Sequence, residues 1–582
     1  MARGFLVALF LLVPLLSSAA EPTGNDALTA VIAEYERLLK QLDPISAGRE
    51  GDREALRRWP DASVETAART REVLERLARL LSNVDATELE AESSLNHALL
   101  VRQISIEIER LDHDLDRVAF NNDSGFHTLA DYVARTTTLS SREGAEAWLA
   151  RLDALPAYYD QNLANLRRGI RTKLTQPRIV VDRVLEVARQ QAATAPEASA
   201  LLTPFERRVP SIAEEVWARY RARALEIVRD RIAPARRDFV GFLEQEYAPA
   251  ARPSLAVRSV PGGESMYRFL VRAETTTNLT PDEIHALGLA EVKRIRALME
   301  ETIRTTEFAG TFEEFLQMLR TDPRFYAQSA EELLEKASEI AKRADDKLPP
   351  LFLTLPRLPY GVRPVPAEIA EGYTTGRYWS GSLPNGQAGA YMVNTSRLDQ
   401  RPLYELPALT LHEAVPGHHL QIALAQELED LPYFRRNISP TAFVEGWGLY
   451  AEFLGEEMGM YRNAYERFGR YSYEMWRACR LVADTGIHWL GWDLERARRC
   501  FTENSALAPH NIQTELERYV SWPGQALAYK IGELRLRALR EEAQRRRGER
   551  FNVREFHDFI LLGGALPLDV LEGRVNAWLD NK

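Results

Sequence analysis

From Asp26 onward the apolar residues recur at helical spacing. Leu28, Val31, Ile32, Tyr35, Leu38, Leu39 and Leu42 fall on one stripe and predict an amphipathic helix. Leu77, Leu80 and Leu81 continue the pattern, as do Trp148, Leu149, Leu152, Leu155 and Tyr159. Alternating strand patterns are almost absent before residue 250, and no fixed-period repeat is visible to support a solenoid. A turn-rich connection follows at 249–264, with Pro249, Pro253, Pro261, Gly262 and Gly263. A helix then starts at Thr280-Pro281-Asp282-Glu283, where Thr280 caps, Pro281 suits the first helical position and Glu283 completes a capping box. A second irregular stretch, 349–398, carries glycines at 372, 376, 381, 386 and 389. Inside it Ala390-Tyr391-Met392-Val393-Asn394 reads as a short strand. From Leu406 to the C-terminus the pattern is helical again. The expected fold class is mainly α with a small β-sheet near the middle.

Composition narrows the function classes. The chain has 582 residues, 45% hydrophobic and 27% charged, which excludes a mainly disordered chain. Its formal net charge of −10 gives no electrostatic reason to expect nucleic acid or an anionic membrane as partner. Two cysteines, Cys479 and Cys500, cannot make a disulfide framework or a four-cysteine zinc site. They leave open a single bridge between neighbouring helices, which spacing alone does not decide. Arg3, the apolar run from Phe5 to Leu16 and the small residues Ser17, Ser18, Ala19 and Ala20 describe a cleaved signal peptide over 1–20. That run is too short to span a bilayer, and no cysteine follows it to carry a lipid. The expected mature protein is soluble, without stable membrane insertion, and periplasmic or secreted. The expected organisation is a helical lobe at 21–255 and a catalytic lobe at 256–582, joined as one continuous unit.

Three of the ten histidines lie between 412 and 419, in Leu411-His412-Glu413-Ala414-Val415-Pro416-Gly417-His418-His419-Leu420-Gln421. In the zinc motif H-E-x-x-H two histidines share a helix face at i and i+4, with Glu beside them as general base. Here position i+4 is Pro416. On a regular helix a separation of six rotates His418 by about 240° from His412, and a separation of seven moves His419 about 10.5 Å along the axis. Neither could share a metal with His412. Pro416 also lacks the N–H that would bond the carbonyl of His412, and Gly417 tolerates unusual backbone angles. If Pro416-Gly417 bulges as a two-residue insertion, His418 returns to the role of the i+4 ligand. A third ligand is available downstream, in Phe443-Val444-Glu445-Gly446-Trp447-Gly448-Leu449-Tyr450-Ala451-Glu452. Glu445 and Glu452 are seven apart and share one face of an apolar helix. Buried acids need partners, and Glu445 as ligand with Glu452 behind the ligands supplies that reason.

The motifs His-Glu-x-x-Pro-Gly-His-His-x-Gln at 412–421, Phe-x-Glu-Gly-Trp at 443–447 and Pro-Gly-Gln-Ala-Leu-x-Tyr-Lys-Ile-Gly at 523–532 resemble the bacterial domain-of-unknown-function family 885. Phe556-His557-Asp558 through Gly563-Gly564-Ala565-Leu566-Pro567-Leu568-Asp569 is similar as well. The family is distantly similar to helical zinc peptidases of the angiotensin-converting-enzyme and thermostable-carboxypeptidase type. The resemblance implies a large helical fold with a deep cleft, one Zn²⁺, a peptide substrate and a third ligand that maps onto Glu445. Its Pro-Gly-His centre favours His418 over His419 as second ligand and leaves His419 beside the ligands. The two-residue insertion resembles the one-residue insertion of the dipeptidyl-peptidase III motif.

Weaker candidates complete the expected site. Tyr529 is a candidate donor to the oxyanion, with a packed core tyrosine as the alternative. Lys530 is a candidate for a substrate carboxylate, with a solvated lysine as the alternative. Related peptidases bind substrate as an added strand, so Tyr391 and Asn394 on the predicted strand are candidate substrate contacts. His488, near Asp484 and Arg480, reads as a structural hydrogen-bonder. The expected activity is that of an exported zinc-dependent peptidase with His412, His418 and Glu445 as ligands and Glu413 as general base. Alternatives are a zinc hydrolase of non-peptide amides or esters, and a non-catalytic metal-containing binding protein.

Overall fold

The computed structural model describes residues 24–122, 124–371, 373–383 and 386–580. The predicted signal peptide lies outside the described residues. Helices make up 71% of the described residues. The first apolar stripe forms helix α1 (Gly24–Leu42), with Leu28, Val31, Tyr35 and Leu38 buried. The stripe around Trp148 lies in the long helix α2 (Arg142–Thr172). Helix α3 (Pro281–Arg304) begins with the expected capping box, Thr280 and Glu283 each bonding the other's backbone N–H. One cluster of buried apolar side chains runs from Leu28 to Leu579, so the two segments divided near residue 255 contribute to a common core.

The glycine-rich stretch forms a three-stranded sheet: β1 (Tyr360–Pro364), β2 (Gly376–Trp379) and β3 (Gly389–Val393). The order is β1-β3-β2, with β1 parallel and β2 antiparallel to β3. The strand expected at 390–394 is therefore the central one. Its unbroken apolar run suits a strand covered on both faces, and every residue of β3 is buried. This corrects the expectation that it offers a free edge to a substrate. Both of its edges are paired, and the outer edges belong to β1 and β2.

The helical second half supplies the site. Helix α4 (Leu406–Glu413) and helix α5 (His418–Gln426) are separated by the turn 414–417. Helix α6 (Thr441–Glu457) and helix α7 (Ala464–His488) follow, then α8 (Leu494–Asn504), α9 (Pro509–Ser521) and α10 (Ala528–Arg547). Helices α6 and α10 cross where Gly446 meets Gly532. A Cβ on Gly532 would stand 1.9 Å from the carbonyl oxygen of Ala442, and one on Gly446 would stand 2.5 Å from the Cα of Gly532. Only glycine lets the two backbones approach this closely. Cys479 on α7 and Cys500 on α8 are joined by a disulfide, with Cα atoms 5.7 Å apart. Among the described residues no helix is long and apolar enough to cross a membrane.

Candidate metal centre

The helix that carries His412 and Glu413 ends immediately after them. Ala414 leaves helical geometry at φ −96°, ψ −112°, and Gly417 at φ −76°, ψ −130° precedes the new helix starting with His418. A Cβ on Gly417 would stand 2.0 Å from the carbonyl oxygen of His412, so the return of the chain requires glycine. The indole of Trp447 donates to the carbonyl of Pro416 at 2.8 Å and pins the turn from α6.

This turn brings His412, His418 and Glu445 together, with one ligand atom from each within 4.8 Å of the others. Nε2 of His412 and Nε2 of His418 lie 3.5 and 3.4 Å from Oε2 of Glu445. Bonds of about 2.1 Å in a tetrahedron place neighbouring donors about 3.4 Å apart, and the two histidine–glutamate separations match that spacing. The two imidazoles stand nearly perpendicular, 4.7 Å between centroids. Gly448 makes room for the first of them, since a Cβ there would stand 2.7 Å from the His412 ring. The four residues Glu445-Gly446-Trp447-Gly448 thus supply, in turn, a donor atom, a helix crossing, a pin on the turn and space for an imidazole.

Behind this group, Nδ1 of His412 is 2.8 Å from Oε1 of buried Glu452, and Arg477 lies 3.3 Å from the same carboxylate. The carboxylate orients the imidazole and the guanidinium balances its charge. Burial alone would depress the His412 pKa, but Glu445 and Glu452 outweigh it and lift the pKa to about 10. Burial likewise opposes ionisation of Glu445, yet His418 and His412 hold its carboxyl well below the usual range. The second nitrogen of His418 has no such neighbour: Nδ1 is buried without a hydrogen-bond partner among the described residues.

His419 faces away from the group. Its Nδ1 is 3.0 Å from the Tyr378 hydroxyl, and its ring packs on Tyr360 with centroids 4.5 Å apart. Burial lowers its pKa to about 4. Glu413 is anchored on the sheet: its Oε2 accepts the backbone N–H of Tyr378 at 2.7 Å, leaving Oε1 for a proton. Nothing local in the sequence signals this link, because β2 lies 35 residues away and has no alternating pattern. Tyr529 is buried with its ring 6.5 Å from that of His412 and 18° from parallel.

Three candidate substrate contacts are corrected by their surroundings. Lys530 is fully buried, 2.7–3.0 Å from carboxylate oxygens of Glu533, Glu474 and Glu291. Burial disfavours its charge, but Glu474, Glu533 and Glu291 more than restore it and raise its pKa. Asn394 is fully buried and spends its amide on the carbonyls of Ala370, Tyr373 and Thr374, tying the loop before β2. Tyr391 is fully buried, its hydroxyl accepting from Thr410 at 3.4 Å. None of the three reaches a surface from which substrate could be touched. His488 is a structural hydrogen-bonder, between Val257 N–H and the carbonyl of Tyr519.

The family described as bacterial protein of unknown function (DUF885) matches residues 44–575. The chain belongs to this family. Among curated proteins none matches. A crystal structure of a provisionally assigned lipoprotein from Colwellia psychrerythraea is similar over 97% of this chain and 100% of its own, at 27% identity and a TM-score of 0.90. Another solved structure, of a provisionally assigned lipoprotein of unknown function from Shewanella oneidensis, is 17% identical, with 95% of this chain and 99% of that one covered and a TM-score of 0.70, and shares the fold. In this DUF885 protein the first cysteine is Cys479, which sits in the disulfide.

Proposed function

We propose that this DUF885 protein is an exported zinc-dependent peptidase. The observation that carries the reading is the convergence of His412, His418 and Glu445 across a broken helix, with Glu413 beside them. Structural zinc sites normally have four protein ligands, whereas three leave a position for water. His412, His418 and Glu445 hold the ion, and Glu452 orients His412. A zinc ion supplies Lewis acidity when bound, polarising a carbonyl and acidifying a water. Glu413, held by Tyr378 on one oxygen, takes the proton of the attacking water on the other and returns it to the leaving amine. Tyr529 donates its hydroxyl to the developing oxyanion. A peptide substrate is supported by β2, an edge strand whose Tyr378 N–H already points at the base, so that an extended chain beside it runs past Glu413. The disulfide supports export, since such bonds persist in oxidising compartments.

The test is metal analysis of the purified protein followed by cleavage of a peptide library with and without chelator. We expect one zinc per chain and cleavage that stops on chelation and returns with zinc. Zinc without cleavage of any peptide, but with hydrolysis of acyl esters or other amides, would move the substrate class. Absence of bound metal at neutral pH would remove the reading.

A further inference from the structure

Tyr529 rests in a cationic cradle that the ligand group does not explain. Its hydroxyl oxygen lies 3.3 Å from Nη2 of Arg518, which also donates to Gln525 at 2.9 Å. The guanidinium of Arg480 covers the phenol face, 4.1 Å from the ring centroid. Glu515 ties both arginines, at 2.8 Å from Arg480 and 3.8 Å from Arg518. The Tyr519 hydroxyl accepts from Arg480 and donates to Glu515, each at 2.9 Å, which closes the cradle from behind.

The decisive feature is the direction of the hydrogen bonds. A guanidinium has donors and no acceptor. Arg518 therefore occupies a lone pair of Tyr529 and leaves the phenol hydrogen unused. Some other buried tyrosines spend theirs, whereas Tyr391 also only accepts, from Thr410. Tyr450 accepts from Arg540 but donates to His557. Tyr267 donates to Asp484 and Tyr461 to the carbonyl of Glu452. For Tyr529 the described residues supply a donor and no acceptor.

We propose that Arg518, seated on Glu515, is the positioning residue of Tyr529: it fixes the phenol oxygen so that its hydrogen is kept for a substrate oxyanion. The inference rests on the peptidase reading. Arg480 restricts the ring from its face through a cation–π contact. Arg518 acts through Tyr529 and touches no reacting atom.

The experiment is a double-mutant cycle on the zinc-loaded protein, using a peptide that the wild type cleaves. Tyr529→Phe should lower kcat about a hundredfold, the usual cost of one oxyanion donor. Arg518→Ala should lower kcat about tenfold with KM within about twofold, and Arg518→Lys, which still donates, should recover most of the loss. In the Tyr529→Phe background Arg518→Ala should cost nothing further, because its effect passes through the hydroxyl. An additive loss in the double variant, or a raised KM at unchanged kcat, would overturn the inference and make Arg518 a substrate-binding group. A second readout needs neither metal nor turnover: fluorine NMR of protein labelled with fluorotyrosine, the Tyr529 signal being assigned by its absence in Tyr529→Phe. That signal should shift in Arg518→Ala and stay in place in Arg518→Lys; no shift in Arg518→Ala overturns the inference even if no peptide is cleaved. Failure of the peptidase reading shows separately, as a zinc-loaded wild type that cleaves nothing.

Discussion

Two buried polar clusters meet the first turn of α10, through the adjacent residues Tyr529 and Lys530, and they are built on opposite principles. Around Lys530 each charge faces an opposite one. Glu291, Glu474 and Glu533 surround the ammonium, and Arg294, Arg470 and Arg537 close the outside at 2.7, 3.1 and 3.0 Å. Around His412 the donor atoms converge on one another instead: two imidazoles and a carboxylate point at a common centre, and Nδ1 of His418 has no partner among the described residues. Buried polar groups are normally satisfied within the fold. A closed cluster therefore reads as structure and an open one as a place for something the chain does not contain. The same contrast separates Lys530 from Tyr529, adjacent in sequence, one consumed by three carboxylates and the other holding an unspent hydrogen.

The contrast breaks most sharply at Glu413. Glu413→Gln keeps the size of the side chain but cannot take a proton at neutral pH. We expect hydrolysis to fall about a thousandfold or more, within the range for a lost general base, while zinc content stays that of the wild type. Rates and metal stoichiometry measured on one preparation check both halves. Retained activity removes the mechanism; lost zinc would make Glu413 a ligand.

Lys530 tests the other cluster. Lys530→Met leaves three carboxylates around an apolar chain, and breaking a buried ion pair in this way costs about 3–5 kcal/mol. Denaturant unfolding should show that loss, while the folded fraction still binds one zinc. A variant of undiminished stability that binds peptide weakly would return Lys530 to a substrate role and erase the contrast.

How much of this the sequence makes legible depends on distance along the chain. The stripe of α1, the capping box of α3 and the strand near 390 are local patterns, and each is found in the structure. Strands β1 and β2 are not readable: Tyr360-Gly361-Val362-Arg363-Pro364 carries a glycine and a proline, and it is extended because β3 lies beside it. The convergence of His412, His418 and Glu445 is legible because Pro416-Gly417 breaks the helix between the two histidines. Lys530 is misread because only Glu533, one turn away, is local; Glu291 and Glu474 come from α3 and α7. Arg518, Arg480 and the Tyr378 N–H reach the site through folding alone, with no spacing that announces them.

The two adjacent histidines sharpen the contrast on a smaller scale. His418 belongs to the open cluster and His419 to a closed one with Tyr378 and Tyr360. Competition with a chromogenic chelator should show His418→Ala losing about a hundredfold or more in zinc affinity. His419→Ala should stay within about tenfold, the lower end of what residues behind the ligands cost. Equal losses would mean that the wrong histidine has been placed on the metal.

The smallest expected effect concerns a histidine whose two nitrogens are both spent. Val257 N–H donates to Nδ1 of His488 at 3.2 Å, and Nε2 is 2.9 Å from the carbonyl of Tyr519. Nδ1 is therefore an acceptor and Nε2 carries the hydrogen, so the fold fixes the neutral ring. Burial lowers its pKa to about 3, although the hydrogen bond to the Tyr519 carbonyl acts in the raising direction. Between pH 6.5 and about 3 the unfolded chain binds a proton at His488 that the folded chain refuses, so stability is full above the unfolded pKa and is lost as pH falls. Between pH 7 and 5 this one ring should cost about 2 kcal/mol. His488→Gln, which offers an acceptor and a donor at similar reach and does not titrate, should lose about that much less over the same interval in denaturant unfolding, although its stability at pH 7 is lower. Parallel curves for the two proteins would mean that the folded ring accepts the proton, and that its hydrogen bonds do not close the cluster as the geometry says they do.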